Sequence, residues 1–553
     1  MFFISGLFLF ILLIFEICNA LFKMIKFYTL ILFLLIFQSA IIAQNYQQRF
    51  NEIDVKHYNL AIQVNDSTNN IQAKMTVSLT FKQLVNEFHL DLVQNDSTGK
   101  GMYIESVFQN NDTVSFTHAY NKITIQPNFV NTDSIFNFEI TYNGVPKDGL
   151  IIGENIHGDR TFFADNWPNR AHNWFPCVDH PSDKATVEFK IIAPNHYQVI
   201  ANGYLFEETN FSDNLNLYHY KSAEPLPTKV MVIGIARFAV QHLGETNNIP
   251  ISTWVYPQTK EQGFYDFANS KKILGFFIEK FGEYPYQKLA NVQSKTQFGG
   301  MENAGAIFYF EKIVNGERSH ESTIAHEIVH QWFGNSASEI DWPHLWLSEG
   351  FANYFTSMYI LETKGEDAFQ QRIKEERETV LNFYKKKQTP VIDTDNTHLM
   401  SLLNANSYEK GAWVLHMLRK KLGDETFWKG IRSYYEKFKL NNASTNDFKN
   451  VMAEVSGQNL DAFFTQWLQK AGHPVLKTSW LYYQNKLRLL IDQTQENSFQ
   501  FPLDVEIIYT DGTSEIKTIE ISQIAIPYEI ETKGEVKDVK FDPNAWLLFE
   551  MAP

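Results

Sequence analysis

Two periodicities divide this chain. From about Tyr46 to Val240, apolar and polar positions alternate. Met75, Val77, Leu79 and Phe81 interleave with Lys74, Thr76, Ser78 and Thr80, and Phe136, Phe138, Ile140 and Tyr142 interleave with Asn137, Glu139 and Thr141. A period of two sets one face of a strand on a core and the other in water. Asn202-Gly203, between Val199-Ile200-Ala201 and Tyr204-Leu205-Phe206, predicts a two-residue hairpin. Near Lys260 the period becomes helical, with helices expected over 261–281, 319–333, 347–363, 367–387, 409–422 and 425–439, bounded by Gly, Asn or Pro. After Gly472-His473-Pro474 the period of two returns over 487–491, 503–509 and 516–521, with Asp511-Gly512 as a hairpin turn. The plan is multidomain α+β: an N-terminal β domain over 44–245, a mainly α domain over 246–472 and a small β-sandwich-like domain over 473–553. No internal repeat or low-complexity linker interrupts it.

Composition narrows the class. At 553 residues the chain exceeds one compact core. With 44% hydrophobic and 20% charged residues it is globular rather than disordered. A formal net charge of −15 argues against a surface that tracks phosphates, so nucleic acid is not an expected partner.

The first residues read as a leader over 1–43. Two apolar runs, 1–22 and 27–43, flank Lys23, Met24, Ile25 and Lys26. The second run is a complete secretory signal beginning afresh at Met24 and ending in Gln38-Ser-Ala-Ile-Ile-Ala43. That favours Met24 as the start, the alternative being that 1–22 is a second hydrophobic anchor. The chain is thus expected to be exported, to the periplasm, the exterior or the cell surface, touching a membrane only through an uncleaved leader. The two cysteines are Cys18 and Cys177, so no disulfide framework or thiolate metal site is expected after the leader.

Candidate chemistry lies in the helical region. His326-Glu327-Ile328-Val329-His330 falls inside the expected helix 319–333, with Ser319 as its N-cap and Gly334-Asn335 as its stop. Residues i and i+4 are about 40° apart around a helix and about 6 Å apart along it, so the two imidazoles converge on one point. Glu327 projects beside them, within reach of a metal-bound water. Glu349 follows His330 by 19 positions, on the next helix, and can return as a third ligand. Two histidines, one carboxylate and an open position make a catalytic zinc arrangement.

With these residues in view, the chain resembles the zinc metallo-aminopeptidases of the aminopeptidase N and leukotriene hydrolase group. These share H-E-x-x-H, 18 residues and Glu, together with an upstream G-x-M-E-N, here Gly299-Gly300-Met301-Glu302-Asn303. Gln331-Trp-Phe-Gly334-Asn335, Trp346-Leu-Ser-Glu349-Gly-Phe-Ala352, Tyr408-Glu409-Lys410-Gly411 and Pro176-Cys-Val-Asp179-His-Pro181-Ser-Asp-Lys184-Ala185 also match. The resemblance runs from about Tyr46 to Pro474. It implies a thermolysin-like catalytic domain, one Zn2+ per chain on His326, His330 and Glu349, and peptide substrates with free N-termini. Glu327 would be the general base, and Tyr408 a donor to the oxyanion. Gly299, Gly300, Met301, Glu302 and Asn303 would bind substrate. Physically, an aminopeptidase must measure from an α-ammonium, largely protonated at pH 7, and a fixed carboxylate such as Glu302 does that.

The resemblance has departures. Family members often add a Gln or Glu from the first domain to the amine site. Here the segment reads Phe163-Ala-Asp165-Asn-Trp167-Pro168, and Asp165 is the expected substitute. Many relatives continue into a large helical domain, whereas about 80 β-like residues follow Pro474 here, so a more open cleft is expected. The competing readings are a thermolysin-type endopeptidase, which has no use for Glu302, and a catalytically inactive peptide-binding protein, which would have shed a ligand or the base.

Overall fold

The computed structural model describes residues 51–395, 397–522 and 525–552. The leader over 1–43 and Cys18 lie outside the described residues. Among the described residues, no helix is long and apolar enough to cross a membrane.

The alternating segments form the expected strands. Ile53–Gln63, Ile71–Phe81, Ile135–Val145 and Gly101–Gln109 lie side by side, antiparallel, in one large sheet. Met75 faces Ile140, Val77 faces Phe138 and Leu79 faces Phe136, and all six are buried. Lys184–Pro194 adds to Ile53–Gln63 in parallel, followed by Leu215–Lys221 and the edge strand Tyr204–Ser212.

The hairpin expected at Asn202-Gly203 does not form. Gln198–Ala201 belongs to a separate four-stranded sheet with Ile233–Ala236, Arg160–Ala164 and Leu150–Glu154, while Tyr204–Ser212 pairs with Leu215–Lys221. Asn202 instead ties three segments together. Its Nδ2 donates to the carbonyls of Val230 (2.8 Å) and Ala304 (2.9 Å), and its Oδ1 accepts from the Val232 amide (2.6 Å). Gly203 has φ +72°, and a Cβ there would lie 1.8 Å from the Lys221 carbonyl oxygen. The dipeptide allows the chain to change sheets.

A five-stranded sheet leads into the helical layer, in the order Ala239–Thr246, Ile249–Val255, Leu289–Ser294, Ala306–Phe310 and Gly300–Met301. Gly300–Met301 is its edge, with Gly300 opposite Tyr309 and Met301 opposite Phe308. The helices are α1 (Lys260–Phe267), α2 (Ser270–Phe281), α3 (Glu321–Val329), α4 (Trp346–Lys364), α5 (Glu366–Tyr384), α6 (Gly411–Leu422), α7 (Asp424–Phe438), α8 (Thr445–Ser456) and the short α9 (Asp461–Phe464).

Three expectations need correction. The single helix over 261–281 is two, because Ser270 Oγ donates to the Phe267 carbonyl (2.8 Å) and the chain restarts at Asn269. Ser319 is not an N-cap. Its Oγ accepts from Asn315 Nδ2 (2.8 Å), and α3 begins after His320. The helix over 409–422 starts at Gly411, preceded by a π-turn at Asn406–Lys410. There Asn404 Oδ1 accepts from the Asn406 amide (2.8 Å) and Asn406 Nδ2 donates to the Thr389 carbonyl (2.9 Å).

The last strands form two sheets. Val475–Tyr483 and Lys486–Gln493 pair in one, Phe501–Tyr509, Ser514–Ile521 and Val536–Phe541 in the other. The turn at Asp511-Gly512 is the expected hairpin, with the Gly512 amide donating to the Tyr509 carbonyl (3.1 Å).

Candidate active site

Helix α3 buries Ile324, Ala325, Ile328 and Val329, and Phe333 just beyond it packs on Phe281 and Phe355 at 5.0 and 5.6 Å between ring centres. Helix α4 is buried continuously from Trp346 to Ile360. A helix buried on every side belongs to a core, so Glu349 within it is held rigidly. Gly350 and Gly411 bring α4 against the start of α6: a Cβ at Gly350 would lie 2.8 Å from the Gly411 Cα. That approach sets the π-turn carrying Tyr408 beside Glu349.

His330 sits one residue past α3, still in helical conformation. The Nε2 atoms of His326 and His330 are 3.0 Å apart, and Glu349 Oε2 is 3.4 and 3.3 Å from them. Metal–ligand distances of about 2.0–2.1 Å give a tetrahedral edge of roughly 3.3–3.4 Å, so the three donors fit a zinc-sized cation. His330 Nδ1 lies 3.1 Å from the Phe333 carbonyl oxygen and 3.1 Å from Ser348 Oγ. With its proton on Nδ1 toward that carbonyl, His330 turns the Nε2 lone pair to the centre. Gly334, at φ +114°, makes room for this: a Cβ would lie 2.2 Å from Ser348 Oγ.

Charge points the same way. Glu302, Glu327 and Glu349 are only 5%, 5% and 3% exposed; Glu349 meets both imidazoles, and Glu302 and Glu327 close on that of His330. Burial pushes the Glu327 carboxyl well above its ordinary range, with His330 pulling against it and Glu302 and Glu349 reinforcing it. Burial likewise raises Glu302. Burial lowers His326, keeping it in the neutral, ligating form. His330 is raised to about 9: burial opposes this, but Glu349 and Glu302 outweigh it. Buried carboxylates in excess of cations call for a bound positive charge.

The cavity above this cluster holds about 230 Å3 and is lined by Gly299, Gly300, Met301, Glu302, His326, Glu327, His330, Glu349 and Tyr408, with Trp167, Phe298 and Leu403. It is smaller than the ~300–1,000 Å3 of sites that engulf a drug-sized ligand, and so suits the end of a chain. A Cβ at Gly300 would meet Glu327 Oε1 at 2.3 Å, so any larger residue there would displace that carboxylate. Gln331 Nε2 (2.9 Å) and Asn335 Nδ2 (2.5 Å) donate to the Glu302 carbonyl and anchor its backbone. Glu302 Oε1 is buried and has no hydrogen-bond partner among the described residues. The Tyr408 ring stacks on His326 at 6.1 Å. Burial, then the three carboxylates, push its hydroxyl well above its ordinary pKa, so it remains a donor.

Comparison with known proteins matches this arrangement to two family models: the Peptidase family M1 domain over residues 265–467 and the Peptidase M1 N-terminal domain over residues 54–230. The chain belongs to peptidase family M1. It is 28% identical over 378 residues to a glutamyl aminopeptidase of Sus scrofa, covering 64% of this chain and 40% of the relative. The glutamyl aminopeptidase of Homo sapiens is 29% identical over 360 residues, 62% of this chain and 37% of that protein. "Aminopeptidase 2, mitochondrial" of Saccharomyces cerevisiae is 27% identical over 367 residues, 62% and 38%. The chain therefore spans about two-fifths of the length of the curated relatives it matches.

Not every sequence-derived candidate reaches the cavity of this M1 peptidase. Asp165 does not line it. It is fully buried, with Oδ1 2.7 Å from Arg170 Nη2 and Oδ2 accepting from Thr296 Oγ1 (3.2 Å) and the Gln297 amide (3.4 Å). It braces the segment leading into Phe298-Gly299 instead of reaching a substrate amine. Asn303 is also buried outside the lining, in a turn whose amide donates to the Met301 carbonyl (2.8 Å). Conversely, Trp167, Phe298 and Leu403 were not singled out in the sequence. Trp167 stands two residues from Asp165 and Phe298 beside Gly299, but being apolar they carry no chemical signature.

Proposed function

We propose that this M1 peptidase is a zinc-dependent aminopeptidase that hydrolyses the N-terminal peptide bond of peptides with a free α-amine. The observation that carries the reading is the buried, unpartnered Glu302 Oε1 in the wall of a small cavity beside the His326–His330–Glu349 cluster. A desolvated carboxylate oxygen without a donor suits an ammonium ligand. The relatives' names, all aminopeptidases, agree.

One zinc per chain on His326, His330 and Glu349 would polarise the scissile carbonyl and lower the pKa of a water toward 7. Glu327 takes a proton from the attacking water and passes it to the departing nitrogen, a role its raised pKa favours. The Tyr408 hydroxyl donates to the oxyanion. The Gly299–Met301 edge aligns the substrate backbone, and Glu302 holds the α-ammonium one residue from the cut. The apolar run ahead of Gln44 supports export, to be checked by N-terminal mass mapping of protein from the native host.

The deciding experiment compares free-amine with N-acetylated peptides. Wild type should cleave the former and barely touch the latter. Glu302→Ala should lower kcat/KM on free-amine substrates about 10- to 150-fold with zinc content unchanged. Equal cleavage of both substrate types by wild type would establish an endopeptidase instead.

A further inference from the structure

We propose that the residue released is uncharged and apolar, and that N-terminal Asp and Glu are refused, although relatives of this chain are named glutamyl aminopeptidases. The inference rests on the aminopeptidase reading and specifies its substrate.

Three carboxylates, Glu302, Glu327 and Glu349, line the cavity, and among the described residues no Lys or Arg does. The nearby cations are committed elsewhere. Lys229 is ion-paired with Glu339, both buried. Arg372 Nε lies 3.0 Å from Glu376 Oε1 and 2.8 Å from Ser357 Oγ. The lining thus offers three acidic groups and no cationic side chain to a substrate side chain, and a further carboxylate brought among them would be an uncompensated negative charge, strongly unfavourable.

The wall left for the substrate side chain is Trp167, Phe298 and Leu403. Trp167 meets Phe298 edge-on at 6.0 Å and Trp342 at 6.1 Å. The one polar atom these three side chains possess is Trp167 Nε1, which has no partner among the described residues. A single neutral donor does not balance a carboxylate, but it tolerates a neutral acceptor. The wall therefore accepts Leu, Met or Phe, accepts Gln less well, and discriminates against Glu by charge rather than size.

The test is a panel of aminoacyl substrates sharing one chromogenic leaving group, read as kcat/KM on the zinc-loaded enzyme. Leu and Met should rank highest, and Gln should exceed its isostere Glu by at least about 100-fold, the scale of a buried like-charge conflict. Calorimetry with the non-hydrolysable α-hydroxamates of leucine, glutamine and glutamate should give the same order of affinity without turnover. Leu403→Arg, which places a cation on the wall, should raise the Glu-to-Gln ratio at least about tenfold. Glu equal to or better than Gln in wild type overturns the inference and leaves the aminopeptidase reading standing. An unchanged ratio in a folded Leu403→Arg, checked by circular dichroism, overturns the assignment of the wall. Failure to cleave any free-amine substrate would sink the aminopeptidase reading itself.

Discussion

Two buried charged clusters draw on the same stretch of chain, Glu339 of one lying between His330 and Glu349 of the other, and they are built on opposite terms. In the first, at the contact between the N-terminal strands and the helical layer, Lys229 Nζ pairs with Glu339. Beside it, Lys184 Nζ donates to the carbonyls of Asn335 (3.1 Å), Ser336 (2.6 Å) and Asn441 (3.0 Å). Both cations are engaged by the protein's own acceptors. In the second, Glu349 lies against both His326 and His330 while Glu302 and Glu327 close on His330, and Glu302 Oε1 meets no donor among the described residues. The cations of the first cluster find acceptors within the protein, although Glu339 Oε2 has no hydrogen-bond partner among the described residues, and the pair ties the N-terminal strands to the helical layer; in the second cluster carboxylates outnumber basic groups, and the proposed zinc and substrate ammonium would balance it. The segment after Gly334 joins them, so the structural cluster steadies the loop that follows His330.

This contrast can be broken at its functional end with the largest effect. Glu327→Gln removes the proton carrier but none of the three donors around the metal centre. Turnover should fall roughly 10²–10⁴-fold while metal analysis of the purified variant still finds about one zinc. Zinc lost together with activity would make Glu327 a ligand.

At the structural end, Lys229→Met leaves Glu339 buried without its counter-charge. Unfolding free energy should drop by about 3–5 kcal/mol, read from denaturant curves. The double variant Lys229→Met/Glu339→Leu should recover most of that loss, since a buried pair replaced by apolar groups is often close to neutral. A single variant as stable as wild type would mean that the pair does not hold the interface.

The smallest effect comes from a third buried group, which carries no charge at all. His416 stacks on Trp546 at 4.4 Å and its Nε2 donates to the Ala545 carbonyl (3.0 Å), docking α6 on the loop that follows the strand Val536–Phe541. Burial lowers its pKa from 6.5 to about 3. The unfolded chain therefore binds a proton that the folded one refuses, and stability falls as pH drops from about 6.5 toward 3. Between pH 6.5 and 5.5 this amounts to about 1 kcal/mol. His416→Gln should flatten that part of the Tm–pH profile, and an unchanged slope would assign the acid sensitivity to other groups.

Features that depend on local periodicity and short spacing were legible in the residue order alone. Alternation at 74–81 and 136–142 specified strands, because a one-residue slip would turn Met75, Val77 and Leu79 out to water. His326 and His330 were legible as a pair because one helical turn brings them together whatever surrounds them. Tertiary structure decided the rest. Asn202-Gly203 has the composition of a hairpin, yet three backbone groups from distant segments claim the Asn202 side chain and the chain changes sheets there. Asp165 sits in a segment that reaches the cavity at Trp167, but Arg170, Thr296 and Gln297 hold its carboxylate away from it. Tyr408 is aimed by a π-turn and by the close approach of Gly350 and Gly411. A polar side chain takes whichever partner lies nearest when burial removes water, and only the folded chain establishes which partner that is.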